Sequence, residues 1–154
     1  MARPDNTDPE RRYTFPRSHR LKRRRLIRSL FDRRRDDVHT VAVGGVRLLS
    51  RVVDRDQLGD DVPLQVGFAP GRRVSSGVER NRVRRLLREV YRVHQYTLAD
   101  LFVSRPDAAV VMILFRGDPA RANDIHEDLP DAMAQMATTL QSALDDTGPN
   151  TDDS

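Results

Sequence analysis

At 154 residues the chain is long enough for one domain with a hydrophobic core, but an apolar fraction of 38% with no Trp keeps that core modest. Cysteine is absent, which excludes a disulfide framework, a zinc–cysteine site and a thiol nucleophile. The net charge of +4 hides a segregation: 12 of the 27 basic residues lie in Arg11–Arg35 and 8 in Arg72–Arg92, whereas nine of the 23 acids follow Gly117.

Residues 1–12 are polar, carry Pro4 and Pro9, and read as a disordered tail ahead of a single domain at 13–144. From Tyr13 to Leu21 the chain is expected to stay irregular, because Pro16 biases Phe15 towards an extended conformation. A first helix is predicted from Lys22 to about Arg33. Leu26, Ile27, Leu30 and Phe31 share one side of it, and Arg25, Arg28 and Asp32 the other. Leu26 and Leu30 read as core, with Ile27 and Phe31 at the edge of the stripe. Asp36–Gly45 reads as a turn or irregular strand broken by Gly44-Gly45. Val46–Val53 suits a strand, and Asp54–Pro63 is a polar loop. Leu64–Ala69 alternates as a strand does, Pro70-Gly71 interrupts it, and Arg72–Val74 is expected to resume as a short strand.

The most informative stretch follows. Ser76 with Glu79 three residues later is a capping-box signature, so a helix is predicted from Gly77 to about His94. At about 100° per residue, Val83, Leu86, Leu87, Val90, Tyr91, Val93 and His94 fall on one arc. Arg82, Arg84, Arg85, Arg88 and Arg92 fall on the other, with Glu89 the only acid among them. A merely solvated face usually mixes acids and bases in offset pairs. Here the arginines repel one another unless a polyanion neutralises them, which favours nucleic-acid contact.

Tyr96–Asp107 reads as a connection, partly helical at Thr97–Phe102. Ala109–Phe115 is a continuous apolar run suited to a strand buried on both faces. A last helix is predicted over Asp124–Leu144, with Leu129, Met133, Met136, Ala137, Leu140 and Leu144 near one face and Pro130 in its first turn. Residues 145–154 read as an acidic disordered tail. The order helix-β-β-β-helix-β-helix indicates an α+β two-layer sandwich around a small mixed sheet.

No catalytic constellation is visible. His19, His39, His94 and His126 are scattered without ligand spacing, and no phosphate loop or nucleophile elbow occurs. Asp36-Asp37 and Asp60-Asp61 read as loop acids facing water. Neither catalytic nor metal-binding residues are therefore expected on the protein. No apolar run reaches membrane-spanning length and the arginine-rich start lacks the apolar core of a signal peptide, so a cytoplasmic protein is expected.

Four segments taken together resemble the signature of the protein subunit of bacterial ribonuclease P. They are Val66-Gly67-Phe68, Arg72-Arg73-Val74, Arg80-Asn81-Arg82-Val83-Arg84-Arg85 and Arg88-Glu89-Val90-Tyr91-Arg92. Arg20-Leu21-Lys22 followed by Ile27 and Phe31 is similar to the family's first helix, with Ile27 standing where the first of two aromatics belongs. Ala69-Pro70-Gly71 and Ser75-Ser76-Gly77 also depart from the pattern. The resemblance implies a left-handed β-α-β crossover and a division of labour. The RNA subunit would hydrolyse precursor tRNA, with Mg²⁺ held mainly by that RNA and the substrate. The protein would bind ribonuclease P RNA and the 5′ leader of precursor tRNA, and neither DNA nor membrane. It implies RNA-binding roles for Arg72, Arg73, Arg80, Asn81, Arg82, Arg84, Arg85 and Arg88. It also implies a leader cleft drawn from Ile27, Phe31, Phe68 and Arg84. The alternative is a charge-driven RNA chaperone or ribosome-associated protein. A helix-turn-helix DNA module is disfavoured because strands precede Ser76, and a protein nuclease because acids and histidines do not cluster.

Overall fold

The apolar run near residue 110 becomes the strand around which everything else is laid. The computed structural model describes residues 11–146. The expected tail residues 1–10 and 147–154 lie outside the described residues. Helix α1 covers Arg24–Leu30, strands β1 and β2 cover His39–Val43 and Val46–Asp54, and β3 covers Leu64–Pro70. Helix α2 (Gly77–His94) and a single turn α3 (Tyr96–Ala99) lead to β4 (Asp107–Phe115), and α4 spans Ile125–Asp146. The sheet order is β1-β2-β4-β3. β1–β2 and β2–β4 are antiparallel, while β3 runs parallel to β4 with Leu64 opposite Ala109. Arg20 adds one parallel bridge to Val66, on the outer edge of β3.

Strand alternation divides the core in two. Val46, Leu48, Leu64, Val66, Ala109, Val111, Ile113 and Phe115 face α2 and α4. Leu49, Val53, Ala108, Val110 and Met112 face α1, where they meet Leu26 and Leu30. β4 contributes to both clusters, which is why its sequence is apolar without alternation. The sheet with its α2–α4 layer is the expected α+β sandwich, and the short α1 partly covers the opposite face.

Several boundaries differ from expectation for identifiable reasons. Helix α1 is shorter than Lys22–Arg33. Arg23 provides no side-chain cap, and beyond Phe31 the Asp32 carboxylate accepts the Arg34 backbone N–H at 3.0 Å, a turn that competes with the helix. His39–Val43 is a regular strand, because Gly44-Gly45 is the two-residue turn of a hairpin rather than a break; Gly44 takes φ +55°. Arg72–Val74 is a turn, not a strand, closed by the Val74 N–H to the Gly71 carbonyl at 3.1 Å. Pro130 lies in the second turn of α4, not the first. Ahead of Tyr13, Arg11 pairs with Asp100 at 3.0 Å and the Tyr96 hydroxyl donates to the Arg12 carbonyl.

Candidate nucleic-acid interface

Helix α2 starts as the capping signature predicts: the Ser76 hydroxyl accepts the Glu79 backbone N–H at 3.1 Å. Val83, Leu87, Val90 and Tyr91 are buried, while Leu86, Val93 and His94 are only half-buried. Burial drives the Tyr91 phenol far above its ordinary range, so it takes no part in proton transfer near neutral pH.

The arginines of this helix are not equivalent. Arg80 is half-buried, and its guanidinium donates to the carbonyls of Val74 at 2.8 Å, Gly71 at 3.1 Å and Pro70 at 3.2 Å. It is a clamp on the turn that enters the helix. Arg82 faces Glu79 at 3.5 Å, Arg84 donates to the Asn81 side-chain oxygen at 3.2 Å, and Arg92 pairs with Glu89 at 2.9 Å while donating to the Tyr13 carbonyl at 2.6 Å. Arg85 is exposed and Arg88 half-exposed. The face is thus more compensated than its sequence suggested, because Glu79 and Glu89 each pair with the arginine three residues further along the helix.

The Arg80 clamp shapes a second feature. Gly71 lies so close to the end of β4 that a Cβ there would stand 2.6 Å from the Phe115 carbonyl oxygen. This approach holds Arg72 and Arg73, both exposed, over one end of the sheet. Between this turn and the end of α1 runs a groove of about 800 Å³. Phe31 forms its aromatic wall and is 50% exposed, an unusual state for a large apolar side chain. Leu49 and Leu114 supply apolar floor. Seven arginines line the groove (Arg33, Arg35, Arg47, Arg72, Arg73, Arg80 and Arg116), against the single carboxylate of Asp32. The Arg34 backbone N–H, then its guanidinium, hold that carboxyl below the ordinary range. Guanidinium forks beside an exposed ring suit phosphates and bases of a single strand.

The residues expected to form a leader cleft are only partly brought together. Phe31 lines the groove. Ile27 is half-buried and packs on the α1-side core. Phe68 is on the opposite face of the sheet: it packs edge-on against Phe15 at 5.4 Å and Tyr91 at 5.8 Å. Strand alternation dictates this, since Phe68 shares a face with Leu64 and Val66. Arg84 is not among the groove-lining residues. Arg33, Arg35, Arg47 and Arg116 were not anticipated. Arg47 could have been found from its period-two spacing to Leu49, once β2 was known to have an α1-facing side.

The groove wall is pinned by one polar network. Arg51 donates to the Ser29 hydroxyl at 2.6 Å and to Asp37 at 3.1 Å, and Arg35 grips the same carboxylate with two bonds of 2.9 Å. The hydrogen bond from Arg35, with the charges of Arg35 and Arg51, holds the Asp37 carboxyl at about 2 against the opposing effect of burial. A depressed carboxyl contributes stability above its unfolded pKa and loses it as pH falls through the folded value. Asp37→Asn is therefore expected to lower the urea midpoint at neutral pH and to flatten the acid limb between 3.8 and about 2. Solvent screening keeps the effect near ~1 kcal/mol or less. Midpoints measured against pH test it; an unchanged acid limb would remove Asp37 from the network.

Comparison with known proteins agrees with this architecture. Residues 15–136 match the model of the family described as ribonuclease P. The ribonuclease P protein component of Desulfovibrio desulfuricans is 39% identical over 88 residues, 57% of this chain. The alignment covers 62% of that curated relative, so the chain spans less than two thirds of its length. The solved Staphylococcus aureus RNase P protein shares the fold at 16% identity and a TM-score of 0.53, covering 77% of this chain and 94% of that one. A mutant of that protein, described as having defective mRNA degradation activity, superimposes with the same identity and TM-score over 79% of this chain and 89% of its own. The family match runs from Phe15 beside β3, through the groove and the arginine helix, into α4, and the chain accordingly belongs to the ribonuclease P protein family.

Proposed function

We propose that the chain is the protein subunit of a ribonuclease P holoenzyme, binding the catalytic RNA and the 5′ leader of precursor tRNA during formation of the mature tRNA 5′ end. The observation that carries this reading is the groove itself, where one exposed phenyl ring stands among seven arginines. Arg72 and Arg73 at its mouth, with Asn81, Arg82, Arg84, Arg85 and Arg88 on α2, form the RNA-facing set. Arg80 serves the same surface by holding Arg72 and Arg73 in place. Phe31 is the stacking residue of the leader site, while Ile27 packs on the α1-side core. Phe68 and Arg84 leave the proposed leader site, since neither lines the groove.

Among the described residues no three His, Cys, Asp or Glu side chains converge as a metal site. The reading assigns the Mg²⁺ of the reaction to the RNA subunit and the substrate. No helix of the described residues is long and apolar enough to cross a membrane.

The deciding experiment is cleavage of 5′-labelled precursor tRNA by a bacterial ribonuclease P RNA at low Mg²⁺, with and without the protein. Stimulation with product ending at the mature 5′ phosphate supports the subunit role. Tight RNA binding without stimulation by a cognate RNA would make it a charge-driven chaperone. A second expectation concerns α2. Replacing Arg84 and Arg88 with Ala should leave stability within about 0.5 kcal/mol per site, because neither holds the backbone as Arg80 does. It should lower the slope of log K against log salt by about 1.4, at about 0.7 for each single-strand phosphate no longer neutralised. Loss of the folded state would instead show that this face is structural.

A further inference from the structure

We propose that the outer ridge of α1, formed by Arg24, Arg25 and Arg28, is a second RNA track that continues from the leader groove and takes upstream leader nucleotides. This rests on the leader reading given above. The segment Tyr13–Phe31 contains seven basic residues and no acid. Arg24, Arg25 and Arg28 are exposed, and among the described residues none of them is ion-paired. Arginines elsewhere are frequently matched: Arg82 with Glu79, Arg92 with Glu89, Arg105 with Asp107 and Arg121 with Asp124.

The placement of these charges opposes the helix. Arg24 and Arg25 stand in the first turn of α1, which has no acid and no side-chain cap. A cation there faces the positive end of the helix dipole and costs about 0.3–1 kcal/mol where an acid would have been favourable. A face serving only solubility would be expected to mix signs. An external anion seated on the ridge would offset these penalties.

Geometry selects the anion. The Phe31 backbone N–H donates to the Arg28 carbonyl at 3.0 Å, so Phe31 continues the turn that carries Arg28. Residues three and four apart neighbour each other on a helix, which makes Phe31, Arg28, and then Arg24 and Arg25 a continuous line. Phe31 is the groove wall. A single strand leaving the groove past this ring meets Arg28 next. The occupant is thus the phosphate backbone of the leader beyond the nucleotides held in the groove.

The test compares holoenzyme reconstituted with wild-type protein and with the Arg24→Ala/Arg25→Ala/Arg28→Ala variant. Each is titrated with precursor tRNAs carrying a short leader, a long leader or none, over a range of salt. For the long leader the variant should lower the slope of log K against log salt by about 2, three phosphates at about 0.7 each. The short-leader and mature substrates should bind both proteins alike. The corresponding triple Arg→Lys variant should restore the slope, which excludes misfolding as the cause. An equal loss for all three substrates would overturn the proposal by moving the ridge to the ribozyme or tRNA body. An unchanged slope would reduce it to a solvated face. If wild-type holoenzyme prefers the short leader over none but gains nothing from the long one, only the track fails. If it shows no leader preference at all, the leader reading itself fails.

Discussion

Arg80→Ala is expected to destabilise the protein by about 2–4 kcal/mol and to weaken RNA binding as a consequence rather than a cause. The Arg80 guanidinium serves three backbone carbonyls of the turn between β3 and α2. A hydrogen bond from a charged donor contributes about 1.5–3 kcal/mol, and bonds sharing one side chain are not additive. Removing the guanidinium leaves the carbonyls of Pro70, Gly71 and Val74 without this donor and frees the turn that carries Arg72 and Arg73. Lysine should rescue only part of the loss, because a compact ammonium cannot fork across three acceptors. Urea unfolding at constant m, run beside RNA titrations, tests the point. Arg85→Ala is the control: exposed and without a backbone partner, it should cost RNA affinity but little stability. Should Arg80→Ala melt like wild type and lose RNA affinity as Arg85→Ala does, Arg80 is a phosphate ligand and the clamp is incidental.

Phe31→Ala should act in the opposite way, with a small effect on stability and a large one on leader discrimination. The ring is half-exposed, so truncation forfeits about half the burial of a core Phe, on the order of 1 kcal/mol. A base stacked on an aromatic ring gains about 1–3 kcal/mol, which corresponds to roughly 5- to 150-fold in affinity. The preference of the holoenzyme for substrate with a leader over mature tRNA should fall by that factor, while affinity for mature tRNA stays unchanged. Ile27→Phe is the informative partner. Ile27 is half-buried against the core cluster that includes Leu26 and Leu30, so a ring there would have to displace core before it could stack. An equal fall for both substrates in Phe31→Ala would place Phe31 against the ribozyme instead of the leader.

What could be read from residues alone follows a physical division. The arginine helix was legible because a cap, a 3.6-residue period and an unbroken run agree from Ser76 to His94. β4 was legible because a strand buried on both sides has no polar face to disguise it. The roles of individual arginines were not legible, since a guanidinium directed at a carbonyl and one directed at solvent have the same letter. Arg80 and Arg85 differ only in what the fold brings near them. The placement of Phe68 away from the groove was not legible for a related reason. Alternation already groups Phe68 with Leu64 and Val66, but which face of β3 borders the groove is set by its pairing with β4 across 45 residues, which local pattern cannot supply. The groove arginines Arg33, Arg35, Arg47 and Arg116 come from three separate segments and meet only once the sheet is assembled.

The bonds that fasten Arg12, Tyr13 and Thr14 to the end of α2 span 79 to 84 residues. Phe15 rests on Phe68 and Tyr91 by the same closure. On a ribosome adding about 5–20 residues per second, the partners of this segment emerge roughly 4–16 s after it does. The first part of the domain to leave the ribosome therefore waits for the end of α2 before it can dock. Until Arg92 and Gln95 arrive, Phe15 is held in water and the basic segment behind it has no folded body to lie against. Closure of the amino-terminal segment thus reports that synthesis has passed the arginine helix, before β4 and α4 are made.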